Sequence, residues 1–346
     1  MKFPKKYGYL LAFLIPLQVV AGYALGGYWN LLTVVSVYGR FPVLDFLIGN
    51  DPTNPAPADE AALSDERFFR YVTYAWVGMQ VLFLGWAVGA WALGSLAGVP
   101  RLGFLLGVAT VTGGIGITVA HELGHRTSAL ERFLGQLALV TVGYRHFYIE
   151  HNQGHHVHVG TPRDPATSRK NESFYAFWVR TVAGSWRSAW QIETARLRRI
   201  GQPIWSFQNR ILAYPALTIL FCALLTAGWS LYAGRVLWSI PIFFVLQSIG
   251  AFTLLELVNY VEHYGIVRRE IAPGRYERVN PLHAWNATPL ASNFFLFQLQ
   301  RHADRPFTKP AGYPALIQLA LIPPLWFRWM NPRLEAWQRR QFDTSE

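Results

Sequence analysis

Six apolar blocks punctuate this sequence, and a block of about 20 apolar residues is long enough to cross a hydrocarbon core of about 30 Å as a helix. The blocks run over residues 8–27, 31–49, 71–93, 102–120, 211–229 and 236–258. No water reaches a backbone inside a bilayer, so each block must close its own hydrogen bonds. The expected fold is an all-α integral membrane protein with six transmembrane helices. Composition agrees, since 52% of the 346 residues are hydrophobic and only 15% are charged. The second block carries Arg40 and Asp45, which makes it the least regular of the six.

The links after the first, third and fifth blocks are short, and those after the second, fourth and sixth are long. If the basic start "MKFPKK" stays inside, all the long segments fall on the cytoplasmic side, two of them rich in Arg. The acidic segment of residues 51–66 fits less well, but acidic residues carry little weight in that rule. The first block has no small-residue cleavage site after it and more spans follow, so it reads as an anchor. A single membrane domain over residues 1–346 is expected, with metal-site segments at about 121–210 and 259–346 in the cytoplasm and both termini there too. The expected location is the inner membrane.

Net charge is +11 without a long basic run, and the Lys and Arg sit between apolar blocks, where they set topology and meet membrane lipid. Nucleic acid is therefore not an expected partner. Cys222 is the sole cysteine, which excludes disulfides, thiolate zinc sites and a built-in iron–sulfur or rubredoxin module.

All ten histidines lie beyond residue 120. In "HELGH", His121 and His125 stand at i and i+4 on one helical face, with Glu122 beside them, a pattern shared with zinc proteases. In "EHNQGHH", His151 and His155 share a helical face and His156 lies one step around. These five imidazoles exceed what one zinc site with an open position uses, so two metals are the economical reading. "NYVEHYG" adds His263 and "LQRHAD" adds His302. Imidazole ligation without thiolate suits iron, copper or zinc, and spacing does not choose among them.

These four boxes, in this order, resemble those of the membrane-bound alkane monooxygenases, a branch of the membrane fatty acid desaturase and hydroxylase superfamily. The likeness extends to "PVLDFLIGNDPTNP", "TPRDPATSR", "GRYERVNPLHAWN" and "GYPALIQLALIPPLWF". The resemblance implies six membrane helices capped by a cytoplasmic di-iron centre. Its ligands would be His121, His125, His151, His155, His156, His263 and His302. The implied reaction places one atom of O2 in the terminal C–H bond of an n-alkane, with electrons from rubredoxin, its reductase and NADH. A methyl group offers no acid, base or leaving group, so a metal-activated oxidant in a water-excluding apolar slot is what such a substrate demands.

The chain departs from that pattern in its last box. The family continues His-x-Asp-His-His, whereas Arg305 and Pro306 follow Asp304 here, and "GYPAL" arrives after a shortened connector. Arg stays protonated and cannot stand in for an imidazole. Asp304, His158 or His283 are the candidates to replace a lost ligand. Glu122, Glu150 and Glu262 each adjoin a box histidine and are expected to orient ligands; the other reading is a zinc-protease base for Glu122 and simple capping or pairing with Arg for Glu150 and Glu262, and His146 is expected to support the site from behind. Val37, in the second block beside Tyr38 and Gly39, is a candidate wall of the alkane slot, or equally a helix contact. Two other readings stay open. One is a sibling hydroxylase or desaturase acting on aryl-methyl or acyl substrates. The other is a membrane zinc protease, which leaves His263 and the "EHNQGHH" box unexplained.

Overall fold

The computed structural model of the protein describes residues 5–49, 67–287 and 311–343, with 289, 292, 308 and 309. His302 and Asp304 lie outside the described residues, as does the acidic segment 51–66. Among the described residues, six helices are long and apolar enough to cross a membrane: α1 (Tyr7–Leu25), α2 (Gly27–Ile48), α3 (Arg67–Leu93), α4 (Gly98–Gly124), α8 (Arg210–Ala233) and α9 (Ser239–His263). Between α4 and α8 lie α5 (Ala129–Val140), α6 and α7 (Phe174–Arg199). The short α6 is built of Phe147–Glu150, a π-helical turn His151–His155, and His156–His158. After α9 come a small hairpin, β1 (Glu270–Ala272) with β2 (Arg275–Tyr276), and the helices α10 (Tyr313–Ala320) and α11 (Pro323–Asp343).

Local chemistry sets these boundaries. Gly26, with φ of 75°, lets the chain reverse between α1 and α2 at a conformation other residues resist. Asn209 caps α8 by accepting from the Ile211 amide at 3.0 Å, and Ser173 caps α7 through the Ala176 amide at 3.3 Å. In α4, Thr110 donates back to the Leu106 carbonyl and Thr118 to that of Gly114, the pattern that bends helices in place of adding to them.

The spans are joined by buried amides as well as apolar packing. Trp76 Nε1 donates to Gln80 Oε1 at 3.0 Å, and Gln80 Nε2 donates to Thr141 Oγ1 at 2.7 Å. From the other side Thr112 Oγ1 donates to Gln247 Oε1 at 2.9 Å, and Gln247 Nε2 reaches the Thr141 carbonyl at 2.9 Å. This network ties α3, α4, α5 and α9 at one level, where an unpaired amide in an apolar medium would be costly. Gly113 lies directly on the backbone of Ala251, so α4 and α9 cross at a distance that no larger side chain allows. Those two helices run to His121, His125 and His263 at the same end of the bundle, and α6 packs across that end.

Asp45, the charge that made the second block irregular, is buried in α2 and accepts a hydrogen bond from the Ser292 amide at 2.9 Å. It fastens the span to the segment that follows α9.

Candidate metal centre

Four imidazoles converge where α4 meets α6. His125 Nε2 is 3.1 Å from His121 Nε2; His156 Nε2 is 3.3 Å from His125 Nε2 and 3.0 Å from His151 Nε2. All four ligand atoms lie within 4.8 Å of one another, with His121 and His151 buried and His125 and His156 exposed. A tetrahedron of nitrogens about 2.0–2.1 Å from one ion has edges of about 3.3–3.4 Å, close to these separations. The residues present therefore fit a metal ion. Burial, and then the neighbouring imidazoles, hold His151 well below its ordinary pKa, so it stays in the neutral form that ligates.

The π turn decides which histidines meet. In an α-helix His151 and His155 would share a face, as the sequence spacing suggests. The wider turn also aligns i with i+5, bringing His156 Nε2 to 3.0 Å from His151 Nε2, while His155 stacks on His151 with ring centroids 5.3 Å apart. The turn packs closely against its surroundings at Gly154, where a Cβ would stand 2.6 Å from Glu150 Oε1 and 3.0 Å from Ser188 Oγ.

His155 also meets His263, their ring centroids 4.8 Å apart. Each ring has its Nδ1 engaged: His155 with Asp164 Oδ2 at 3.0 Å, His263 with the His283 carbonyl at 3.3 Å. That arrangement fixes the tautomer and leaves Nε2 as the nitrogen through which either ring could ligate. Burial alone would lower the pKa of His155, but the Asp164 carboxylate reverses the sign and raises it to about 9. Burial likewise opposes ionisation of Asp164, yet His155 and the Thr167 hydroxyl hold it below the usual carboxylate range.

The remaining predicted residues take distinct places. Glu122 Oε1 stands 3.7 Å from His121 Nδ1. Glu150 is buried between Asp164 and His155, and burial raises its pKa to about 8, so it carries a proton at neutral pH. Glu262 and His263 line the cavity described below. His283 accepts from the Asn280 amide through Nδ1 at 3.0 Å, with Nε2 3.4 Å from Glu277 Oε1, so both its nitrogens face away from the cluster. His146 packs edge-on to Tyr144, centroids 4.4 Å apart, and burial lowers its pKa to about 4. His158 lies outside the four-imidazole group, near Arg163 and Arg268, and burial, then the charge of Arg163, lowers its pKa.

Two acids escaped the sequence reading. Asp164 sits in the quoted segment "TPRDPATSR" without an assigned role. Glu256, buried inside α9, accepts from Tyr144 Oη at 3.0 Å, Thr181 Oγ1 at 3.0 Å and Asn259 Nδ2 at 3.2 Å. An acid near the histidine end of an apolar block was itself a signal that the position matters.

Below the histidines a cavity of about 450 Å³ runs between α1, α2, α4 and α9. His121, His151, His155, His156 and His263 form its upper wall; Val37, Tyr38, Phe41, Thr110 and Leu254 lie farther in. From Thr110 to His121 along α4 the rise is about 16 Å at 1.5 Å per residue. Two more π turns, Ser36–Arg40 and Thr110–Ile115, supply part of this wall, and Tyr38 and Thr110 hydrogen-bond across it at 3.1 Å.

Residues 95–304 match the fatty acid desaturase family. The chain is 40% identical to alkane 1-monooxygenase 2 of Pseudomonas aeruginosa, over 96% of this chain and 93% of that protein. This chain belongs to the alkane 1-monooxygenase family. Alkane 1-monooxygenase 2 of Alcanivorax borkumensis is 36% identical, over 98% of this chain and 93% of its own. Similarity reaches, at 29% identity over 96% of the chain, the xylene/toluene monooxygenase hydroxylase component of Pseudomonas putida. The alignment with the first relative spans 359 positions against the 346 residues here, so that relative carries residues without a counterpart in this chain. With six membrane-length helices, family membership makes this a multi-pass membrane oxidoreductase, a monooxygenase whose histidine cluster suggests non-haem iron.

Proposed function

We propose that the chain is the hydroxylase of a rubredoxin-dependent alkane 1-monooxygenase, seated in the inner membrane with its histidine cap and both termini in the cytoplasm. The observation that carries this reading is the placement of four convergent imidazoles at the mouth of an apolar cavity, in a chain of this family. His121, His125, His151 and His156 would hold one iron. His155 and His263 would contribute to holding a second, for which the sequence also offers His302. When bound, the iron pair supplies the O2 activation that an alkane C–H bond requires. One oxygen atom goes to the alkane and the other to water, at the cost of two electrons and two protons.

The protein's own share is binding and exclusion. An n-alkane has no polar handle, so its affinity comes from transferring apolar surface out of water, about 25 cal/mol per Å². Ile15, Val37, Phe41 and Leu254 provide that lining, and an alkane that fills it would displace water from around the reacting carbon. The methyl end is held by the cavity's shape near the histidines. NADH reaches the reaction only through rubredoxin reductase and rubredoxin, because Cys222 alone cannot build an internal carrier.

The shortened last box bears on the second iron, because two imidazoles of the family pattern are missing after Asp304. The test is octane turnover with rubredoxin, reductase, NADH and labelled O2, with p-xylene and an acyl substrate in parallel. The chain as it stands should give little 1-octanol. A variant with His-His and a family-length connector after Asp304 should give more, with one labelled oxygen per alcohol. No octanol from either protein, with oxidation of p-xylene or acyl chains instead, would move the assignment to a sibling activity.

A further inference from the structure

The loop of residues 200–208 and the outer face of α7 display exposed aromatic surface. Trp205 is 79% exposed and Phe207 is fully exposed, and Trp186, Val179 and Tyr175 continue the exposed stripe along α7. The rings are organised: Trp186 stacks on Trp190 at 5.8 Å with planes 13° apart, and Trp190 meets Trp205 at 5.6 Å. Nor is the loop a frayed end. Asn209 Nδ2 donates to the Ile204 carbonyl at 2.9 Å, Ser206 Oγ to the Pro203 carbonyl at 2.8 Å, and Arg196 Nη2 to the Gln208 carbonyl at 2.9 Å. The aromatic side chains are thus held outward by design of the backbone.

We propose that this platform lies in the headgroup layer of the bilayer, with anionic phospholipid as its partner. Three observations converge on lipid. The loop leads directly into α8, whose Leu217, Ile219, Leu220 and Leu224 are exposed, so the aromatic patch is continuous with a span's outer surface. Trp rings, apolar in body and polar at one edge, favour that boundary. Arg187, next to Trp186 in the chain, and Arg198 and Arg199, in the last turn of α7 just before the loop, are exposed and free to reach lipid phosphates while their stems cover apolar surface. The opposite face of α7 presents Thr181 to Glu256, and its Ser188 lies beside Gly154 in the π turn. Seating α7 at the boundary therefore sets the height of the metal centre above the bilayer. This inference does not depend on the substrate.

The test uses the full chain in nanodiscs, with Cys222→Ser and Phe207→Cys carrying a bimane label, and Lys170→Cys as a labelled reference site on the exposed cap. The Phe207 label should be quenched by lipid bearing a nitroxide near the headgroup and shielded from iodide at least about threefold relative to the Lys170 site. Phosphatidylglycerol in place of phosphatidylcholine should raise lipid quenching about twofold, and Arg198→Glu with Arg199→Glu should abolish that rise. Iodide quenching equal to that of the reference site, or shielding that appears only when a soluble redox protein is added, would overturn the proposal. So would lipid quenching that ignores both headgroup charge and the arginine changes.

Discussion

His155 and His156 are neighbours in the chain, yet the π turn sends them to different partners, and substitution can separate their roles. His156→Ala should weaken metal retention at the four-imidazole cluster, while Asp164→Asn should act on the His155 and His263 pair. Loss of an orienting carboxylate of this kind costs about 10–100-fold in metal affinity. Chelator competition on each variant checks this: two phases should be seen, with each substitution moving only one. A single phase shifted equally by both would mean that the histidines serve one site. Farther down, Val37 lines the cavity, and Val37→Trp should shorten the longest alkane accepted, because the indole fills space that terminal methylenes would occupy. An unchanged chain-length profile in a folded variant would remove Val37 from the substrate's path.

Among the elements, the six spans were readable from the chain because hydrocarbon thickness and helix rise leave few options for an apolar block. The three π turns were not, since an i, i+4 template assumes an α-helix and does not register the extra residue per turn. The sequence groups His155 with His151, and those two rings do stack, but the π turn also brings His156 Nε2 to 3.0 Å from His151 Nε2, which helical spacing did not suggest. Asp164 was out of reach because a loop carries it back to His155.

An ion cluster at the end of α7 gives a test on stability. Glu193 is buried; burial opposes its charge, but bonds from Arg196 and Arg210 prevail and lower its pKa to about 2. Because the folded value lies below the unfolded one, its contribution is complete above about pH 4.5 and fades only as pH falls toward 2. Glu193→Gln should therefore destabilise by on the order of 1–2 kcal/mol, because both arginines stay partly in water, and by the same amount at pH 5 and pH 8. A penalty that changes between those two values, followed by thermal unfolding in detergent, would assign the effect to another group.

On the scale of the whole molecule, the proposal joins a membrane bundle, a split histidine site and an external electron source. The purified chain with NADH alone should not turn over; rubredoxin and its reductase should be required. Turnover should also fall with added salt if the basic cap steers an acidic partner. NADH-driven turnover without a carrier would contradict that scheme. The shortened last box predicts unequal metal sites, because each lost imidazole weakens its ion and the four-imidazole cluster keeps its full set. The most direct measurement is the metal content of the purified chain, with and without His121→Ala, by elemental analysis after mild chelation. One firmly held iron per chain, lost in His121→Ala, with a second metal that is partial or washes out, is the predicted result. Zinc without iron would contradict the oxygenase assignment, and two tightly held irons would show that another residue completes the second site.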